Sequence, residues 1–133
     1  MRTILRFCRH WHEEARRIKL ADYASLFLRL WLGGSMLALH GLGKFQKLLS
    51  DPAGFPDPLG IGVALSLGLA AWAEFFCSLL ILVGFATRLA LTQLMATMLV
   101  AFALVHGFAL SGPGNGELAF VYLGCSVGLF ILG

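Results

Sequence analysis

Seven ionisable side chains stand within or at the edges of otherwise apolar stretches: Arg29, His40, Lys44, Glu74, Arg88, His106 and Glu117. A charge at the centre of a bilayer costs about 2.5–3.5 kcal/mol even on the lenient insertion scale, so a bundle that only had to pack has little reason to carry several. Lysine, arginine and histidine offer donors to an anionic or carbonyl-bearing ligand, and a carboxylate beside them can orient a histidine or relay its proton. Glu74 is the hardest to explain away, because apolar residues flank it on both sides. The others have ordinary explanations. Long side chains such as Lys44 and Arg88 reach the interface from near a helix end, and an acid at a helix start, as at Glu117, favours the dipole.

Metal chemistry does not follow from this set. His40, His106 and Glu117 have the composition of a two-histidine, one-carboxylate site, but the histidines belong to different stretches and Lys44 would repel a cation. His10, His12, Glu13 and Glu14 form a polar cluster near the N-terminus, where residues two apart do not share a helix face. No metal is expected at either place. The sequence carries no phosphate loop, nucleophile elbow or dinucleotide fingerprint.

The elements that must position these residues are set by composition. Of 133 residues, 59% are hydrophobic and 13% charged, against roughly 25% charged in a soluble domain. Apolar stretches run from Tyr23 to Leu42, Ile61 to Gly84, Leu89 to Leu110 and Leu118 to Leu132. About 20 residues of helix cross a ~30 Å hydrocarbon core, which the first three meet and the fourth approaches. Open backbone hydrogen bonds are not tolerated in lipid, and no period-2 alternation suggests a barrel. The expected fold is all-α: a four-transmembrane-helix bundle over residues 23–133, preceded by a basic amphipathic surface helix over residues 1–22. In that segment Ile4, Phe7, Cys8, Trp11, Ala15 and Ile18 recur at helical spacing among arginines, the pattern of an interfacial helix. Its long basic region is unlike a cleaved signal peptide, so it is expected to be retained.

Pro52, Pro56 and Pro58 break the chain after the first helix, Gly84 suits a C-cap with Thr87 as the next N-cap, and residues 111–116 read as a turn. Small residues at Gly60, Ala64 and Gly68, at Gly34 and Ala38, and at Gly124 and Gly128 suggest close helix contacts. Cys8, Cys77 and Cys125 imply no disulfide. Six of ten Lys/Arg lie in residues 1–22 and Arg88 marks the second loop, so the positive-inside rule puts both termini in the cytoplasm. That clustering beside an apolar span fits a membrane flank and not nucleic acid. With the first helix entering near Asp22, Arg29 would lie ~10 Å deep and Glu74 ~15 Å from the same face, so Arg29 or Arg88 is the expected partner of Glu74. His40, Lys44, His106 and Glu117 would fall at one depth near the outer face and line a common pocket.

In this order His40-Gly-Leu-Gly-Lys44, Ala73-Glu74, Gly84-Phe-Ala-Thr-Arg88, His106-Gly107 and Gly116-Glu-Leu-Ala119 resemble the DoxX family of small bacterial four-helix membrane proteins. The resemblance covers roughly residues 23–133. Family members often continue past the fourth helix with a Gly-Pro-Gly segment, a basic residue and a Ser-Leu-Asp ending, whereas this sequence stops at Gly133. The resemblance implies a bacterial inner-membrane location and a link to quinone-, sulfur- or thiol-related redox chemistry, with a quinone as the cofactor class. Implied partners besides the lipid bilayer are further copies of the chain and membrane or soluble redox proteins. No residue set would oxidise thiosulfate unaided, so a subunit of an oxidoreductase is expected rather than a complete enzyme. A small transporter or permeation subunit is one alternative, and an anchor recruiting soluble enzymes through residues 1–22 is another.

Overall fold

The computed structural model describes the backbone of residues 2–133 and the side chains of residues 19–133. The expected apolar face of residues 4–18 and the cluster at His10–Glu14 therefore lie outside the described side chains. Among the described residues the chain is helical, without strands. Helix α1 (Arg2–Met36), a π-helical turn π1 (Leu37–Gly41) and α2 (Leu42–Ser50) follow one another without a break and make the first rod. The second rod joins α3 (Val63–Ala71), π2 (Trp72–Cys77) and α4 (Ser78–Val83). The third joins α5 (Thr87–Val100) and π3 (Ala101–Val105), and the fourth is α6 (Glu117–Leu132).

Three of these are long and apolar enough to cross a membrane: Lys19–Ser50, Val63–Val83 and Thr87–Val105. Helix α6 is apolar but only 16 residues long, about 24 Å at 1.5 Å per residue. Two boundaries differ from the expected ones. The first rod continues past Leu42 to Ser50, since nothing before Pro52 interrupts it. The third ends at Val105 instead of Leu110, because the backbone leaves the helix at His106 and turns through positive φ at Gly107 and Phe108.

The rods form a square. Helix α1 packs on α4 and α6, and α5 packs on α6 and α4, while α3 packs on α2. Each rod contributes fully buried apolar side chains to the centre, among them Leu32, Met36, Ile81, Leu91, Leu94 and Leu129. Leu65, Leu69, Leu99, Leu104, Val121 and Ile131 face outward. In water such a belt would drive association, whereas in lipid it is the natural surface.

Among the glycines, the tightest position is Gly41, where an added Cβ would press on the backbone carbonyl of Glu74 in the second rod. At Gly33 a Cβ would lie 3.0 Å from the carbonyl oxygen of Ser78. The small-residue spacings expected to mediate contact do so less. No neighbour lies within 4 Å of a Cβ placed on Gly68, Gly124 or Gly128, and Gly60 falls before α3. Tyr122, Ser126 and Leu129 turn inward on α6, which rotates its glycines away from the bundle.

The connections are held by local hydrogen bonds. In the first, the Asp57 carboxylate accepts from Ile61 N at 3.1 Å, Gly62 N at 2.8 Å and Ser66 Oγ at 2.6 Å. The Ser66 hydroxyl, helped by these amides, holds the Asp57 carboxyl below its ordinary value. The second is a tight reversal. Gly84 adopts left-handed φ (75°) as C-cap, with Phe85 N donating to Leu80 O at 3.0 Å. The cap position before α5 is Ala86, also left-handed, and Thr87 is already helical. The expected threonine cap is not formed, because the reversal is completed one residue earlier.

Replacing Gly41 by alanine should force the first and second rods apart at Glu74. A loss of about 1–3 kcal/mol, the usual cost of overpacking, is expected in the unfolding of Gly41→Ala in detergent. The matched Gly43→Ala, where the added methyl meets nothing within 4 Å, should be near neutral.

Candidate functional site

Glu74 lies near the middle of the 21-residue second rod and is only 2% exposed. Its partner is Lys44, whose ammonium donates to both carboxylate oxygens. The expected pairing with Arg29 or Arg88 is therefore corrected. Arg29 lies against Gly84 at the far end of the second rod, and Arg88 stacks over the Phe130 ring at 5.8 Å. The first rod does not end near Leu42. With the rod running to Ser50, Lys44 stands opposite Glu74 and not at an interface.

The local backbone around this pair is irregular in a consistent way. Each π turn widens its rod by one residue and redirects the side chains beyond it. Turn π1 carries His40, π2 carries Glu74, and π3 ends immediately before His106. Turns π1 and π2 pack directly on each other, and π3 packs on α6. Three rods thus depart from α-geometry around one polar centre.

Two cavities flank the ion pair. The larger, about 300 Å³, is bounded by Leu69, Ala70, Thr97 and Val100 from the rods and by Phe55 and Pro58 from the first connection. The smaller, about 120 Å³, is bounded by Met36, His40, Met98 and Tyr122. Lys44, Glu74, Ala101 and His106 line both, so the ion pair and His106 form the wall between them. Helix α4 packs on α5, whereas α3 turns toward α2, and the larger cavity occupies the resulting groove between the second and third rods. Its lining residues Leu69 and Ala96 are exposed at the lipid-facing side.

His106 is fixed by an Nδ1 contact of 2.6 Å to the carbonyl oxygen of Gly114. A carbonyl only accepts, so Nδ1 carries the proton and a neutral ring presents Nε2 as a base. His40 meets the Tyr122 ring edge-on at 5.7 Å. The Tyr122 hydroxyl donates to Ser35 Oγ at 3.0 Å, and Ser35 donates to Trp31 O at 2.6 Å. Tyr122 and Ser35 were not singled out in the sequence. The available signal was Tyr122 and Ser126 four apart on an otherwise apolar helix.

His40, Lys44, Glu74 and His106 thus converge, while Arg29, Arg88 and Glu117 stand apart. Glu117 is exposed at the first turn of α6, its amide donating to Asn115 Oδ1 at 3.1 Å. Among the described residues no three His, Cys, Asp or Glu side chains gather to hold a metal ion.

The DoxX family model matches residues 24–107, a stretch that contains Arg29, His40, Lys44, Glu74, Arg88 and His106 but not Tyr122. No curated protein and no solved structure matches the chain.

Removing one member of a buried ion pair strands the other, at a cost of about 3–5 kcal/mol. Glu74→Gln should lower stability in detergent on that scale. The double variant Lys44→Met/Glu74→Leu, which strands nothing, should unfold close to the wild type. A double variant as unstable as Glu74→Gln would show that the loss does not come from a stranded Lys44.

Proposed function

The chain belongs to the DoxX family of membrane proteins, and from that premise we propose that it is a redox-associated membrane subunit binding a quinone-class molecule in the groove between its second and third rods. The observation that carries this reading is the placement of the Lys44–Glu74 pair and His106 at the inner end of an apolar cavity of about 300 Å³. That volume lies at the lower end of the range for small-molecule sites. Apolar walls with a lipid-facing side suit a ligand dissolved in the bilayer. A polar inner end suits the oxygens of its ring.

Each residue has a definable task in this reading. Lys44 uses two ammonium protons on Glu74 and keeps a third donor for a ligand carbonyl oxygen. His106 Nε2 accepts a proton from a ligand hydroxyl and returns it. Glu74 keeps Lys44 charged and, on taking a proton itself, frees that lysine. Electrons are exchanged with a redox partner protein. The location in this reading is a bacterial inner membrane with both termini cytoplasmic, as the basic flank and Arg88 suggest. Residues 1–22 then form a surface segment and residues 23–133 the membrane domain.

Titration of a short-chain benzoquinone into the detergent-solubilised chain, followed by calorimetry, tests this. Saturable binding is expected, weakened about tenfold in His106→Ala, the scale of one hydrogen bond to a charged or polar partner. Ala96→Phe, which places a ring in the groove and leaves every polar residue unchanged, should abolish binding while leaving unfolding unchanged. Absence of saturable binding by the wild type, or equal binding by Ala96→Phe, would exclude the groove as a quinone site.

A further inference from the structure

The opposite end of the bundle carries two cations that the ligand groove does not use. Arg29 makes no ion pair with any described residue, and its Nε is buried without a hydrogen-bond partner. One turn earlier on the same face, Ser25 is 5% exposed and its hydroxyl is also unpartnered. Across the seam Ser78 is fully buried with an unpartnered hydroxyl, and Gly33 brings α1 down onto it. The Arg29 Nε and the Ser25 hydroxyl thus lie one turn apart on α1 without a partner, while Ser78 lies deeper, level with Gly33. Arg88, in the first turn of α5, likewise has no acidic partner among the described residues and rests on Phe130.

We propose that Arg29 and Arg88, set about the Gly84–Thr87 reversal, form a phosphate-binding rim that holds the headgroup of an anionic phospholipid. The reversal ends two membrane-crossing rods, so it lies at headgroup level. The aromatic surroundings agree. Tyr23 and Trp31 flank Arg29 on α1 and Phe85 lies in the reversal, all three exposed, as in the aromatic belts of membrane interfaces. A guanidinium is a planar fork that pairs with two phosphate oxygens at once. Gly84 makes room for it, since a Cβ there would lie 2.6 Å from one Arg29 terminal nitrogen. A cation without counter-charge beside apolar surface is costly, and a phosphate supplies both the charge and an acceptor for the Arg29 guanidinium. Exposed Leu30, Val83 and Phe85 would meet the acyl chains, which a free phosphate lacks.

Native mass spectrometry of the full chain, released from detergent after incubation with equal parts phosphatidylglycerol and phosphatidylcholine, tests the rim. Preferential retention of phosphatidylglycerol is expected, falling about tenfold in Arg29→Gln, the scale of lost charge-assisted hydrogen bonds. Arg29→Lys, which keeps the charge and loses the fork, should fall between. Should Arg29→Gln not yield a monodisperse protein, Arg88→Gln on a different rod should show the same direction of loss. Inorganic phosphate is the second probe: displacement of the lipid by it would assign the rim to free phosphate, and persistence of the lipid would assign it to the headgroup. Equal retention of the two lipids by the wild type, or unchanged retention in both glutamine variants, would overturn the proposal.

Discussion

A lysine and a carboxylate facing each other inside a helical bundle in lipid constrain almost everything around them. Neither can be exposed to the hydrocarbon, neither can be left alone, and both must come from rods close enough for their side chains to meet. The close approach is supplied by Gly41, which lets the first rod touch the backbone of the second at Glu74 itself. Side-chain direction is supplied by the π turns, which rotate His40, Glu74 and His106 toward one centre. The pair thereby fixes the register of the first two rods, and the core of Leu32, Met36, Ile81 and Leu94 packs around that register.

The same constraint shapes the space beside it. A fully packed α-bundle leaves few voids larger than water. Here the second rod bends its first half toward α2, and a groove remains between it and the third rod. Its floor is the polar wall of Lys44, Glu74 and His106, and its sides are apolar. The second cavity, behind that wall, leads to Tyr122 and Ser35. In the proposed function the wall is where proton and ligand chemistry meet, and its integrity depends on the ion pair rather than on any single hydrogen bond.

Much of this was legible in the sequence for a simple reason: in lipid, composition almost dictates structure. The spans, the proline-rich first connection and the Gly84 reversal follow from runs of apolar residues and their breakers. Glu74 was legible as an interior carboxylate, because a charge flanked by apolar residues has nowhere else to go. Its partner was not. Lys44 is followed by Gln46 and Lys47, which read as a chain leaving the membrane, while the helix continues for another turn and more. The π turns were also hidden, since a shift from i+4 to i+5 hydrogen bonding leaves no mark in hydrophobic periodicity. Entry of the first helix at Asp22 would put Arg29 deep in the bilayer. The structure sets it level with Gly84, so the helix reaches past the bundle before the crossing begins.

Exchange of the two charges tests the central place of the ion pair most directly. Denaturant unfolding of Lys44→Glu, Glu74→Lys and the double exchange would be compared in one detergent. If the pair organises the bundle, each single reversal places like charges together and loses about 3–5 kcal/mol or more, while the exchange recovers most of that loss through a coupling far above the ~0.5 kcal/mol of independent sites. A double exchange whose loss equals the sum of the two single losses would show that Lys44 and Glu74 act separately, and the account built on their contact would fail.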